Sequence, residues 1–329
     1  MSWKFGAIIG FALVGSASVR VLSEMPEARL PTTTRPVTVT RGHTARACDG
    51  GVLYAQMLDP LPESGDHGAS ERLAMDVSAA LDCTTWTTAV DRDAIMVSLE
   101  LSRLLVEHAD HLAGEDRPEE ATDLALDIWT LGQNLQEGTL VQHAVGIAVQ
   151  SLGVDVLERV AKTLPPHRQR DVAEPILDLL DRSPAISFAG EHKYIDEGPG
   201  GWRAWMTPLV RRGSFAAAAL LEPALAVAGP LRFDRVREVM PTEYPSRFSI
   251  VGLCQYGAMS VVSHIIWDQA ELQQKAGVIA SELVRRGRCL DDLSLLMPRM
   301  PVDPATGQAL AYDHCEVRPA ALPPRPTKP

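Results

Sequence analysis

Residues 104–160 decide the fold class, and they read LLVEHADHLAGEDRPEEATDLALDIWTLGQNLQEGTLVQHAVGIAVQSLGVDVLERV. Apolar residues recur at helical spacing on both sides of Gly114. Asp116 and Pro118 are typical of the beginning of a helix, and two glutamates follow where the positive end of the helix favours them. The pattern therefore predicts two antiparallel helices joined by a tight turn.

The next segment, residues 139–164, is apolar on almost every side, which predicts a central buried helix that stops at Pro165 and Pro166. Gly146 and Gly153 lower its helix propensity, and we expect them to permit close approach of a neighbouring backbone. A shorter amphipathic helix is expected at 172–180. The longest helix is expected at 246–286, followed by Gly287 as its cap.

Together these elements predict an all-α fold, an irregular multi-helix bundle of helical hairpins that occupies residues 69–300. Residues 23–68 are rich in Pro and Thr and indicate a linker with at most a short strand near 37–40. The sequence DPATGQALAY predicts a turn that opens a small C-terminal β-hairpin-like segment in residues 301–318. The proline-rich residues 319–329 are expected to be disordered.

The N-terminal residues 1–22 contain an uncharged run, FGAIIGFALVGSASV, between Lys4 and Arg20. A helix of this run spans roughly 22 Å, or roughly 27 Å when extended to Leu22, against a hydrocarbon core of ~30 Å. We expect either an uncleaved anchor or a signal peptide; a buried core helix is the third alternative. The signal peptide would be cleaved near the small residues Ser16, Ala17 and Ser18. Either leading alternative predicts a protein that is anchored in the inner membrane and faces the periplasm, or is exported.

The 329-residue chain has a formal net charge of −11. Nucleic-acid binding requires a basic stripe, and the sequence has none, so nucleic acid is not an expected partner. An acidic chain is also repelled by an anionic lipid surface. We therefore expect membrane contact through the N-terminal segment only, and envelope proteins as partners.

The five cysteines include no CxxC pair, which argues against a thioredoxin-like or zinc-ribbon protein. Disulfides are expected in an oxidising compartment, although sequence alone does not fix their connectivity. The preferred pairing joins Cys48 with Cys83 and Cys289 with Cys315. Cys254 lies in an apolar helical run and is expected to be unpaired and buried.

Three polar groups are candidates for a site, and each has a structural alternative. His108 and His111, three residues apart on one helix, are either metal ligands or a histidine pair at the edge of the core. The polar residues of 191–202 either line a cleft or form a solvated loop. Asp291 and Asp292 are either an acid–base pair or the cap of a short helix.

The quoted stretch and the later LVRRGRCLDDLSLLMPRMPVDPATGQALAY (residues 283–312) together resemble a loose group of uncharacterised proteins. These are N-terminally anchored α-helical proteins of planctomycete or myxobacterial type with a closing DPxTGxxLxY segment. The matching closing residues here are Asp303, Pro304, Thr306, Gly307, Leu310 and Tyr312. The resemblance covers roughly residues 90–165 and 245–315 and implies no activity.

Motifs that commit a chain to a chemistry are missing: the sequence has no GxSxG, GxxxxGK[ST], GxGxxG or EF-hand loop. We therefore predict no catalytic, cofactor-binding or metal-ligating residue. The leading hypothesis is a structural or interaction module of the cell envelope. One alternative is an extracytoplasmic hydrolase with its site near residues 191–202, and another is an accessory subunit of a secretion apparatus.

Overall fold

A computed structural model of the chain describes residues 33–39, 43–88, 92–136, 140–186, 229–233, 236, 250–285, 293, 297, 299–313 and 315–325. For residues 33–35, 88, 92–96, 140–141 and 250–261 only the backbone is described. The protein is mostly helical, with small strand pieces, as the sequence predicts.

The described helices are α1 (Gly50–Met57), α2 (His67–Leu81), α3 (Arg92–Gly114), α4 (Pro118–Leu135), α5 (Leu140–Val160), α6 (Pro166–Asp181) and α7 (Ile250–Arg285). A 3₁₀ turn, Ala161–Thr163, joins α5 to α6. The described strands are β1 (Thr33–Pro36), β2 (Arg46–Asp49), β3 (Cys83–Thr88), β4 (Ala311–Asp313) and β5 (Glu316–Arg318).

The helical hairpin predicted around Gly114 is present as α3 and α4, and α3 ends at Gly114. Its turn differs in detail from the expectation. Asp116 has a φ of 63° and is not the N-cap of α4. Arg117 occupies the N-cap position, directly before Pro118, and its side chain makes no capping hydrogen bond. The backbone N–H of Arg117 donates instead to the Leu112 carbonyl at 3.0 Å and closes the end of α3.

Helix α5 lies at the centre of the bundle, in contact with α3, α4 and α7. It is not buried on every side, because a narrow stripe of it faces solvent; this stripe consists of Ala144, Ala148, Asp155 and Arg159. The two glycines expected to permit close approach do so. A Cβ on Gly146 would lie 2.5 Å from the Gly132 carbonyl oxygen, and one on Gly153 would lie 2.7 Å from that of Ala125.

The helix expected at 172–180 begins earlier, at Pro166, which occupies the first turn of α6. Proline is tolerated there because the N–H it lacks would have no partner within the helix. The helix predicted at 246–286 is present as α7, Ile250–Arg285, which is the longest helix among the described residues.

Residues 23–68 were expected to be a linker with at most a short strand, and the described part contains more structure. It holds β1, β2 and α1, and the strands form a sheet of order β1-β3-β2. Strand β1 is antiparallel to β3, and β2 is parallel to it. The central strand has the sequence CTTWTT, whose Thr and Trp residues favour strands, and Trp86 is buried in the core.

The closing segment, which we define as residues 299–318, contains the expected turn and hairpin. A bridge between Val302 and Ala309 flanks the turn, and β4 pairs antiparallel with β5. The carboxylate of Asp303, 2% exposed, accepts hydrogen bonds from the backbone N–H groups of Ala305 and Ala320 and from the side chain of Gln274 on α7. These bonds fix the closing segment to α7.

Residues 319–329 were expected to be disordered, but 319–325 lie along α7. We call residues 319–325 the proline-rich segment. The indole N–H of Trp267 donates to the Pro323 carbonyl at 2.9 Å, and the amide of Gln274 donates to the Ala320 carbonyl at 2.8 Å. Prolines lack N–H donors, but their carbonyl oxygens remain available to donors on a helix surface.

Several predictions fall outside the described residues. These are the N-terminal segment 1–22, the loop 191–202, the short helix beginning at Asp291, and Cys289. Of the helices in the described parts of the chain, none combines the length and the apolar character needed to cross a membrane.

Candidate functional site

Two of the cysteines, Cys48 and Cys83, join neighbouring strands of the three-stranded sheet. Cys48 at the end of β2 and Cys83 at the start of β3 form a disulfide with a Cα–Cα distance of 4.8 Å. Cys315 is also disulfide-bonded, and its partner lies outside the described residues, as does the side chain of Cys254. These bonds fasten β2 to β3 and the closing segment to another part of the chain.

His108 and His111 lie on α3 at the edge of the core. The His111 ring stacks on His67 of α2, with centroids 3.7 Å apart, and the His108 ring lies 6.4 Å from His111. Burial lowers the pKa of His108, so this ring is neutral at pH 7. Across the described ranges no three His, Cys, Asp or Glu side chains converge as metal ligands. The arrangement fits helix packing between α2 and α3.

His43 bridges two carboxylates, and no pattern in the sequence predicts this contact. Its Nδ1 lies 3.0 Å from Asp82, at the end of α2, and its Nε2 lies 2.8 Å from Asp127 of α4. The hydrogen bond to Asp127 outweighs the effect of burial and raises the pKa of His43 to about 8. The protonated ring can donate to both carboxylates and fastens residues 43–49 to two helices.

A buried polar layer lies between α4, α5 and α7. The indole of Trp129 donates to Gln150 at 3.0 Å. His143 lies between the Gln136 carbonyl oxygen, at 3.1 Å, and the terminal amide of Gln269 on α7, at 3.0 Å. Burial lowers the pKa of His143. Because these groups bond to one another, the layer serves to align the three helices.

The best candidate for a ligand site is a cavity of about 140 Å³ between α4, the end of α6 and the residues that follow β1. Thr130, Gln133 and Asn134 lie three and four residues apart on one face of α4 and form one wall. The remaining lining residues are Pro36, Val37, Thr38, Leu179, Arg182 and Pro184.

Two bonds hold the walls of this cavity in place. The side-chain amide of Gln133 donates to the Leu179 carbonyl at 2.6 Å and links α4 to α6. The backbone N–H of Val37 donates to the Thr84 carbonyl at 2.9 Å, so the strand β3 positions the residues after β1. These bonds tie the walls of the cavity to α4, α6 and β3.

Arg182 supplies the charge of this cavity. Its Nη1 atom is buried, and in the described part of the chain it has no hydrogen-bond partner. The nearby carboxylates of α6 do not neutralise it, because Asp178 and Asp181 pair with Arg299 at 2.9 and 2.8 Å. A buried guanidinium N–H without an acceptor is costly. Because Arg182 lines the cavity, an anionic ligand there would interact with its positive charge.

The cavity offers several polar groups that can bind a ligand. Its described lining offers a guanidinium, two amides and two hydroxyls, but neither a carboxylate nor a histidine that could transfer a proton. A carboxylate is the ligand that matches a guanidinium flanked by amide donors. No sequence pattern predicts this site, because Arg182 and the α4 residues are brought together by helix packing.

Comparison of the chain with protein families, with curated proteins and with solved structures finds no match.

Proposed function

We propose that this protein is a non-enzymatic interaction module of the cell envelope, exported or held by an N-terminal membrane anchor, which binds a carboxylate-bearing partner in the Arg182 cavity. The observation that carries the binding function is the guanidinium of Arg182, whose Nη1 has no hydrogen-bond partner among the described residues, at the wall of a cavity also lined by amides and hydroxyls. The uncharged run of residues 5–19 and the disulfide between Cys48 and Cys83 support export. The resemblance to anchored helical proteins supports the same compartment.

Titration calorimetry of the full chain with acetate and succinate tests the binding function. We expect binding that is lost in Arg182→Gln, because the substitution removes the charge and leaves a shorter, neutral amide. Arg170→Gln is the matched control, since Arg170 is an exposed arginine on α6, the helix that Arg182 directly follows. Equal binding by the native chain and Arg182→Gln would refute the assignment of this cavity.

N-terminal sequencing of the mature protein tests export. A start after Ser16–Ser18 would indicate a cleaved signal peptide, and an intact N-terminus in the membrane fraction would indicate an anchor. Recovery of the intact chain from the cytosol would refute both.

The two alternatives predict different results. A hydrolase with its site near residues 191–202 would lose turnover on substitution of His192 while Arg182→Gln stayed active. An accessory subunit of a secretion apparatus would co-purify with an inner-membrane protein.

A further inference from the structure

The proline-rich segment contacts α7 mainly through its own backbone. Trp267 and Gln274 donate to the carbonyl oxygens of Pro323 and Ala320, which are acceptors that any residue type carries. Leu322 is half-buried and packs against the core, while the three prolines of the segment are exposed. One charged side chain completes the contact: Arg325 lies over the Trp267 ring, 4.7 Å from its centroid, and 2.5 Å from the Asp268 carboxylate.

The spacing of the two donors on α7 matches the repeat of a polyproline helix. Trp267 and Gln274 are seven residues apart, or two helical turns, which corresponds to about 10.5 Å along the axis. Ala320 and Pro323 are three residues apart, or one turn of polyproline II, which corresponds to about 9.3 Å. The donor nearer the start of α7 binds the carbonyl nearer the end of the segment, so the segment lies antiparallel to the helix.

We propose that the α7 face formed by Trp267, Asp268 and Gln274 is a binding site for proline-rich segments that carry an arginine, and that residues 319–325 occupy it in cis. Sites for polyproline segments present aromatic side chains, as Trp267 does here, and an acidic residue such as Asp268 can pair with a basic side chain of the segment. The resident segment defines the partner: a leucine, two prolines and an arginine in consecutive positions. This inference assigns a partner class to the interaction module proposed above, and it uses residues that are separate from the Arg182 cavity.

Competition by the resident segment is the central expectation. A segment attached to its own site has an effective concentration on the order of a millimolar. If the free peptide binds with a dissociation constant of about 100 µM, the attached segment weakens its binding about tenfold. The peptide therefore binds with its full affinity only when the resident segment is removed or displaced.

The experiment measures fluorescence anisotropy of a labelled peptide with the sequence of residues 319–329. It compares the full chain with a chain that ends at Arg318, which leaves Gln274 free to donate to the Ala320 carbonyl of the peptide. A full-length Leu322→Asp, Arg325→Asp variant displaces the segment without shortening the chain. We expect the shortened and the displaced chains to bind the peptide about tenfold more tightly than the native chain.

Two substitutions test the residues involved. Trp267→Phe in the shortened chain keeps the ring and removes the N–H donor, and we expect about 2- to 10-fold weaker binding. Asp268→Arg should weaken binding of the native peptide, and a peptide with Arg325→Asp should restore it. Circular dichroism and the unfolding midpoint establish that each variant is folded.

Three outcomes would overturn the proposal. The first is no peptide binding by a natively folded shortened or displaced chain. The second is equal binding by those chains and the native chain. The third is a dimer of the full chain that dissociates when residues 319–329 are removed, because the segment would then belong to a second copy. The carboxylate titrations with Arg182→Gln are unaffected by these outcomes, so failure here is distinguishable from failure of the proposed function.

Discussion

The backbones of Gly132 on α4 and Gly146 on α5 are in direct contact. A Cβ on Gly146 would lie 2.5 Å from the Gly132 carbonyl oxygen, and a Cβ on Gly132 would lie 2.6 Å from the Gly146 carbonyl oxygen. Real Cβ atoms do not approach this closely, so both positions require glycine. This contact lets the two helices pack tightly enough for Trp129 to bond to Gln150 across them.

Gly146→Ala should lower the free energy of unfolding by about 1–3 kcal/mol, because the added methyl group overpacks the α4–α5 contact and outweighs the gain in helix propensity. Denaturant unfolding measures the change. Gly114→Ala is the matched control, since a Cβ at Gly114 meets no atom within 4 Å. It should be neutral or stabilising by up to about 1 kcal/mol. Equal effects of the two substitutions would contradict the packing argument.

Removal of the disulfide between Cys48 and Cys83 should destabilise the protein. The bond closes a chain separation of 35 residues, and the loss of this constraint on the unfolded chain costs roughly 3–4 kcal/mol. Chemical denaturation of the double variant Cys48→Ser, Cys83→Ser measures it. Reduction of that variant reports on the remaining disulfide at Cys315. A double variant as stable as the native chain would show that the bond does not constrain the fold.

The His43 bridge should make stability depend on pH. The pKa of His43 is about 8 in the folded state and 6.5 when unperturbed, so the folded protein retains its proton at higher pH. The stabilisation is fully present below pH 6.5 and is lost as the pH rises through 8. It amounts to about 2 kcal/mol, at 1.36 kcal/mol for each unit of pKa.

Unfolding free energies between pH 6 and pH 9 test this dependence. The native chain should lose stability over the range, and His43→Gln should show a flatter profile. His67→Gln is the control, because it removes an imidazole that is not bonded to Asp82 or Asp127. A decline of equal size in all three proteins would exclude His43 as its origin.

Gln269→Leu should cost about 1–3 kcal/mol of stability, because it leaves the buried Nε2 of His143 without its partner on α7. The double variant His143→Leu, Gln269→Leu should be less destabilised than the sum of the single variants, since a double-mutant cycle isolates the coupling of the pair. Thermal and urea unfolding give the four free energies. Additive effects would mean that the two side chains do not interact.

Asp303→Asn should release the closing segment. The carboxylate oxygens accept three hydrogen bonds, whereas an amide offers one acceptor and directs its N–H₂ group at the remaining donors. We expect a loss on the order of 3 kcal/mol and faster hydrogen exchange at Ala305 and Ala320. Glu316→Gln, an exposed carboxylate on β5, should change stability by less than about 1 kcal/mol. Unchanged exchange at Ala320 would refute the role of Asp303.

The helices were predictable because their apolar residues repeat at 3.6-residue spacing, a local property of the chain. The α3–α4 hairpin and α7 are clear examples. The close approach of neighbouring backbones at Gly146 and Gly153 was also predictable, from the small residues at these positions. The sheet was missed because β1 and β2 are only four residues long and pair through β3, which is remote in sequence from β1. Periodicity cannot detect strands that short.

The candidate sites depend on contacts between distant residues. His43 meets Asp127 across 84 positions of sequence, and the two are not linked by any motif. Arg182 acquires an unpaired buried nitrogen only because α6 packs on α4 while Arg299 engages the neighbouring carboxylates. Such properties are absent from the local pattern of residues.

By itself, the sequence determined the helical class, the hairpin around Gly114, the small residues on α5 and the turn at Asp303, because each follows from local spacing or backbone preference. Only the tertiary structure decided that β3 is central to a sheet, that the proline-rich segment lies on α7, and that Arg182 faces a polar cavity. The physical reason is that burial and hydrogen-bond partners are set by packing between elements, which the order of residues does not reveal.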